Sequence, residues 1–291
     1  DGTGAHYRLT GAALETPWAA MRGDVALGKD APFGVQAQID ATRSDSLPLT
    51  ARLEMGGALN DLHFRLVAAA EGMNLLLSGE VAPFDKVRVR RLLVAGDGID
   101  PRQFVADAPH ADLAFSGVFE GLPGKRLLGT FSLSNSAAGR LDQQRLPLAN
   151  LTGAVLGDAT HADFSALAID LGPAGQVSGD GQWRDGRFAV NLASANVNLA
   201  GLHRDLNATR IGTTLKLTGN AARQMLDAEV SETWGQGRFT LSHADSTLRL
   251  ESADFSGQAG RLSAQGSLNL DPGRAFAARF DASQINPARF G

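Results

Sequence analysis

Apolar and polar residues alternate with period two along almost the whole chain, and no other feature of the sequence constrains the fold as strongly. Successive side chains of a strand point to opposite faces, so this alternation gives each strand one apolar and one polar face. Val35, Ala37, Ile39 and Ala41 share a face, then Leu49, Ala51, Leu53 and Met55. Leu62, Phe64 and Leu66 follow, with His63 and Arg65 opposite. Met73, Leu75, Leu77, Gly79 and Val81 come next, with Asn74, Ser78 and Glu80 opposite. The pattern slips at Arg91, where we expect a bulge. It resumes at Leu113, Phe115, Gly117 and Phe119, and again at Leu127, Gly129, Phe131 and Leu133. Leu151 and Val155, Leu167 and Ile169, Val177 and Trp183, and Phe188, Val190 and Leu192 carry it onward. Leu215 and Leu217, Leu226 and Val230, Phe239 and Leu241, and Leu248 and Leu250 follow. Leu262, Leu268, Phe276 and Phe280 close the series. Short Gly, Asp and Asn turns separate about eighteen such strands, the signature of an antiparallel meander wet on one side.

A longer period lies over the short one. Ile99–Phe104, Val197–Leu202 and Ile285–Phe290 each have an apolar residue, then Asp or Asn, then an apolar residue four positions after that. They recur about 90 to 100 residues apart, a spacing that fits a group of strands rather than one hairpin. Two of them continue with Pro, so Asp100-Pro101 and Asn286-Pro287 read as an N-cap followed by the first helical residue. Pro101–Val105 and Leu199–Leu206 are the best helical candidates. The repeats divide the chain into 1–104, 105–202 and 203–291, read as sections of one continuous elongated structure.

At ~4.8 Å per strand, a sheet of this many strands would run about 85 Å, too long to close into one small barrel. Its apolar face needs cover: a second sheet, the same sheet folded back, or lipid. Gly79, Gly117, Gly129, Gly153, Gly179 and Gly266 fall on that face. Small residues there permit curvature or leave room for a guest, and simple packing variety explains them equally well.

The chain carries no constellation that points to catalysis. It has no Cys, which excludes thiol chemistry, thiolate metal sites and disulfides. The histidines His6, His63, His110, His161, His203 and His243 include no local pair at metal-binding spacing. The Gly-x-Gly pairs lack the rest of a phosphate-binding loop, and no nucleophile elbow is present. Asp97–Asp100 lacks the remainder of a calcium loop. A net charge of -4 gives no electrostatic case for nucleic acid. Arg88, Arg90 and Arg91 read as an exposed strand face that also guards an edge. No apolar run approaches the roughly 18 residues that span a bilayer, and no signal-peptide pattern opens the chain. It starts on Asp1 rather than Met and ends on Phe290-Gly291, so we expect a section of a longer protein.

Five short stretches resemble the periplasmic AsmA-like proteins, in their TamB-like branch. They are Glu15–Trp18, Val81–Phe84, Ile99–Pro101, Asn135–Leu148 and Ile285–Gly291, spread along the whole chain. The resemblance implies an all-β fold in which a long, curled antiparallel sheet, with short helical crossings, forms a taco-like trough: a repeating β-groove. It implies an apolar interior and a polar exterior, as in bridge-like lipid transfer proteins. It also implies a tether to the inner membrane through an N-terminal helix and docking on the outer-membrane barrel TamA through a C-terminal domain, neither recognisable in this chain. The implied activity is movement of phospholipid to the outer membrane, or assembly of outer-membrane proteins.

From alternation, the residues expected to line such a groove are Val35, Ile39, Leu53, Leu62, Phe64, Leu66, Leu75, Leu77, Val81, Leu113, Phe115, Phe131, Leu133, Leu151, Val155, Leu167, Ile169, Val177, Phe188, Val190, Leu192, Leu215, Leu217, Leu262, Leu268, Phe276 and Phe280. We expect phospholipid acyl chains as the partner, and no catalytic residue, cofactor or metal. The rival expectation is a scaffold that pairs its edge with client strands. A secreted β-solenoid fits less well, because the long period exceeds a solenoid coil.

Overall fold

The computed structural model describes residues 6–17, 19–43, 48–105, 107–258, 260–271 and 275–286. Trp18, the Pro272-Gly273 turn and the end of the last repeat from Pro287 lie outside them. The chain is all-β, antiparallel and open. It divides into two compact units, residues 1–137 with 154–158, and residues 138–153 with 159–291.

The first unit contains β1 (His6–Glu15), β2 (Ala20–Gly28), β3 (Gly34–Arg43), β4 (Leu49–Ala58), β5 (Asp61–Ala70), β6 (Met73–Val81), β7 (Val89–Ile99), β8 (Leu113–Leu122) and β9 (Arg126–Asn135). The residues of β10 (Asn150–Gly157) are shared between the units. The second unit contains β11 (His161–Asp170), β12 (Gln176–Arg184), β13 (Arg187–Val197), β14 (Ile211–Asn220), β15 (Arg223–Glu232), β16 (Gly235–Ala244), β17 (Thr247–Gly257), β18 (Gly260–Asn269) and β19 (Phe276–Ser283). Within each unit every strand pairs antiparallel with the next in sequence. In neither unit does the last strand return to the first among the described residues.

β1 and β2 went unrecognised by alternation. A bulge between Leu9 and Ala12 breaks the phase of β1, and Gly23 and Ala26 dilute that of β2. The bulge expected near Arg91 is present, where the β6–β7 register shifts between the Glu80–Arg91 and Val81–Val89 pairs.

The repeat-closing segments are short crossings at strand ends. Asp100 caps the 3-10 turn Pro101–Gln103, its carboxylate accepting the Arg102 backbone N–H at 3.1 Å. Asn198 precedes α1 (Leu199–Leu202), but its side chain does not cap that helix. Its Nδ2 instead donates to the Pro173 carbonyl at 3.3 Å, and its Oδ1 accepts the Thr209 N–H at 3.2 Å. Those bonds fasten α1 against the 3-10 turn Gly172–Ala174, where Ala174 and Gly201 are buried. In the Asn135–Leu148 stretch, buried Asn135 accepts N–H bonds from Asp112 and Ala137 through Oδ1.

A conventional core is missing. Among the described residues no large side chain is fully buried. The buried apolar set is sparse and mostly small: Val35, Leu62, Ala68, Ala70, Ala82, Ala111, Ala174, Val177 and Ala228.

Candidate functional site

Strand pairing turns the alternation into a surface. In the first unit, Ile39, Leu53, Leu66, Leu77, Val94, Gly117 and Phe131 are successive cross-strand partners from β3 to β9. A parallel row runs Ala37, Met55, Phe64, Gly79, Leu92, Phe119 and Gly129. Ala68, Leu75, Gly96, Phe115 and Leu133 form a third, and Val35, Gly57, Leu62 and Val81 a fourth. The pleat places all four rows on one face.

The second unit repeats the arrangement. Leu167, Gly179, Leu192, Leu215, Ala228, Phe239, Ala253, Ala264 and Phe280 form one row. Val190, Leu217, Leu226, Leu241 and Leu250 belong to the next. Trp183 and Phe188 lie toward one end, and Leu248, Leu268 and Phe276 continue that side. Ile169 pairs with Val177, and Phe255 with Leu262, on the same face. Every residue expected from alternation therefore lies on the apolar face of its unit, apart from Leu151 and Val155, which sit half-buried on the shared strand β10.

Bulges explain which members alternation missed. Across each bulge, residues three apart share a face: Val89 with Leu92, Gly96 with Ile99, Phe164 with Leu167, and Leu250 with Ala253. An extra residue in one strand preserves the apolar face while breaking the period. That i, i+3 step between strand-like halves is the signal that reveals Leu92, Val94, Phe164 and Phe255.

Within each unit the close backbone contacts between strands are those of sequence neighbours. Even so, Leu77, Val94, Leu192 and Leu215 are half-buried. On the opposite face of the first unit, Val67, Leu93, Val118 and Leu128 are exposed, at 37–46%. Exposure of the apolar face is greatest at the outermost strands, with Tyr7 and Leu9 on β1 and Phe276 and Phe280 on β19.

The glycines on this face have defined neighbours. A Cβ at Gly79 would lie 3.0 Å from the Phe64 ring, and one at Gly96 would lie 2.5 Å from the Phe115 ring. At Gly129 it would meet the Phe119 ring, and at Gly237 the Phe255 ring at 3.0 Å. In each case the ring belongs to the directly opposed residue, so the space above these glycines is filled by the protein itself.

The opposite face is wet and charged. Arg52 meets Asp40 at 2.7 Å, Arg184 meets Asp163 at 3.1 Å, and Arg238 pairs with Glu229. Exposed pairs like these contribute about 0–1 kcal/mol each and matter more for register than for stability. An open cavity of about 1040 Å³ on this side of the second unit includes Thr214, Glu229, Arg238, Asp254 and Asp281. One of about 680 Å³ in the first unit includes Asp24, Gln38, Glu54 and Arg65.

The histidines are dispersed. His110 Nδ1 lies 2.9 Å from Asp100, His161 Nδ1 lies 2.8 Å from the Thr160 hydroxyl, and His243 Nδ1 lies 2.6 Å from Gln224. Among the described residues no group of three or more His, Asp or Glu is placed to hold a metal ion. The Asp100 carboxyl has a marked shift. The hydrogen bonds from the Arg102 guanidinium, more than any other influence, hold it well below the usual carboxylate range.

Compared with known proteins, the chain matches no family model, no curated protein and no solved structure.

Proposed function

We propose that the apolar face of each unit holds acyl chains, and that the protein is a section of a periplasmic conduit carrying phospholipid between the inner and outer membranes of a Gram-negative bacterium. The observation that supports this most is an apolar face aligned row by row across the strands, none of whose large side chains is fully buried among the described residues. An apolar face that keeps part of its surface accessible over a contiguous patch marks a binding surface. An acyl chain gains about 0.8 kcal/mol for each methylene it buries. Successive rows offer a methylene nearly the same aliphatic and Phe surroundings, so a chain passing from row to row meets a small barrier. The headgroup stays in water. The periplasmic setting, the membrane tether and docking to TamA rest on the resemblance of the five short stretches alone.

Native mass spectrometry of the purified chain, with its lipid extracted and identified, tests this reading. We expect phospholipid on the wild type. Leu77→Asp in the first unit and Leu215→Asp in the second each place a charge in a central apolar row. Each variant should keep its β-rich circular dichroism and lose bound lipid, whereas Thr214→Asp on the polar face should keep it. A well-folded wild type that carries no phospholipid and takes none up from vesicles overturns the proposal.

A further inference from the structure

The strand ends of the first unit carry charge of opposite sign. β2 and β3, β4 and β5, β6 and β7, and β8 and β9 join at one rim, and the connections between these pairs lie at the other. Three of the four lysines of the chain sit in connections on the first rim: Lys29, Lys86 and Lys125. Arg88 ends the β6–β7 connection and Arg126 opens β9 on the same rim. These cations are exposed, and among the described residues none of them forms an ion pair. The strand-face arginines Arg52, Arg184 and Arg238 each meet a carboxylate instead. Asp61 and Asp85 on this rim are both taken up by Arg90, at 3.0 Å each. Among the described residues that leaves Asp30 as the unpaired acid of these connections. The connections of the opposite rim set Glu71, Asp100, Asp107 and Asp112 against Arg102. A strand of about ten residues separates the rims by about 30 Å, several Debye lengths at physiological salt, so the two fields do not cancel.

Two aromatic side chains stand among these cations. Phe84 is 75% exposed and Phe33 is 48% exposed. Both belong to fixed loops. Ala82 is fully buried, its N–H donates to the Arg88 carbonyl at 2.7 Å, and its carbonyl accepts the Asp85 N–H at 3.0 Å. The Arg90 guanidinium ties this loop to the start of β5 through Asp61. The Phe33 N–H donates to the Asp30 carbonyl at 2.7 Å, and the Phe33 carbonyl accepts the Leu59 N–H at 3.1 Å, which joins neighbouring hairpins. A ring held in water beside unpaired cations combines the two components of interfacial binding. The apolar group enters the boundary between headgroups and acyl chains, and the cations meet anionic headgroups. Hairpins on one rim recur every second strand, so the cations are strung over about 30 Å. A partner with one compact charge would need them to converge, whereas a surface of many dispersed charges meets them all.

We propose that this rim of the first unit docks on the surface of a bilayer rich in anionic phospholipid, with Phe33 and Phe84 entering the interface. The rim lies at the strand ends, away from the central apolar rows, so docking on a bilayer and holding acyl chains are separate properties.

Co-sedimentation of the full 291-residue chain with vesicles of equal parts phosphatidylglycerol and phosphatidylcholine tests this. The expected result is binding that weakens as salt rises and is much weaker on phosphatidylcholine alone. Lys86→Glu and Lys125→Glu each replace an attracted charge with a repelled one, and each should weaken binding about tenfold or more. Lys216→Glu makes the same change on β14 of the second unit and should weaken it less than about twofold. Phe84→Ser leaves the charge unaltered and should weaken binding several-fold. The combined Leu77→Asp/Leu215→Asp variant should still bind. Failure to bind the anionic vesicles, or equal binding to neutral ones, overturns the proposal. So does a Lys86→Glu chain no weaker than Lys216→Glu, or a Phe84→Ser chain that binds like wild type. Loss of binding in the Leu77→Asp/Leu215→Asp variant also overturns it, by placing the vesicle contact on the apolar face. The acyl-chain reading is scored separately, on the lipid extracted from the wild type.

Discussion

At the scale of single residues, the apolar face is built from glycine and phenylalanine set opposite each other. Phe64 faces Gly79, Phe115 faces Gly96, Phe119 faces Gly129, and Phe255 faces Gly237. A ring lying across the facing glycine shields that backbone and fills the gap left by the missing side chain. The sequence places these glycines on the apolar face but leaves their purpose open between curvature, a guest site and packing variety. The missing information is register, a property of pairs of strands that no single strand encodes. Gly96→Val tests the point. The new side chain would meet the Phe115 ring at 2.5 Å and the Asn74 carbonyl oxygen at 3.0 Å. Overpacking of this kind costs about 1–3 kcal/mol. Urea denaturation should show the loss, whereas Gly56→Val, on the opposite face with nothing within 4 Å, should stay within about 0.5 kcal/mol of wild type.

At the scale of elements, strands were legible and their interruptions only partly so. The Asp100-Pro101 pair announced its turn, because a cap and a fixed φ are local properties. Asn198 announced the position of α1 but not its own role, since its partners Pro173 and Thr209 lie 25 and 11 residues away. The first crossing carries a pH dependence that follows from its ion pairing. Asp100 Oδ2 lies 2.6 Å from Arg102 Nη2 and 2.9 Å from His110 Nδ1, and the Asp100 side chain is 19% exposed. The folded chain therefore favours the ionised carboxylate more than the unfolded chain does. A carboxyl with a depressed folded-state pKa contributes stability above its unfolded pKa, about 3.9, and loses it as pH falls toward the folded value. Asp100→Asn keeps an oxygen acceptor for the Arg102 N–H and removes the charge. At neutral pH it should be less stable than wild type by about 1 kcal/mol. That difference should hold down to about pH 4 and shrink below it. A difference that stays constant through acid would place the Asp100 contribution in packing rather than in charge.

At the scale of the whole molecule, each unit is a run of strands paired in sequence order, whereas a β domain ordinarily completes its core with a second layer. Alternation alone left three covers open: another sheet, the same sheet folded back, or lipid. Within each unit the close backbone contacts between strands join neighbours in sequence, so the cover is not a property of any one strand. The sequence could not decide this, because an apolar strand face reads the same whether protein or lipid will lie on it. The consequence is thermodynamic. With few buried side chains and none of the large ones fully enclosed, each unit has little burial of its own to set against chain entropy. A ligand that binds the folded chain and not the unfolded one adds stability by mass action, about 2.7 kcal/mol at a hundredfold excess over its dissociation constant. Stripping lipid from the purified chain should therefore lower its melting temperature by several degrees, and returning phospholipid should restore it in a concentration-dependent way. The same addition should leave the combined Leu77→Asp/Leu215→Asp variant unmoved. Should the stripped wild type melt where the loaded protein does, the apolar faces would have to be stable bare, and lipid would form no part of what holds this fold together.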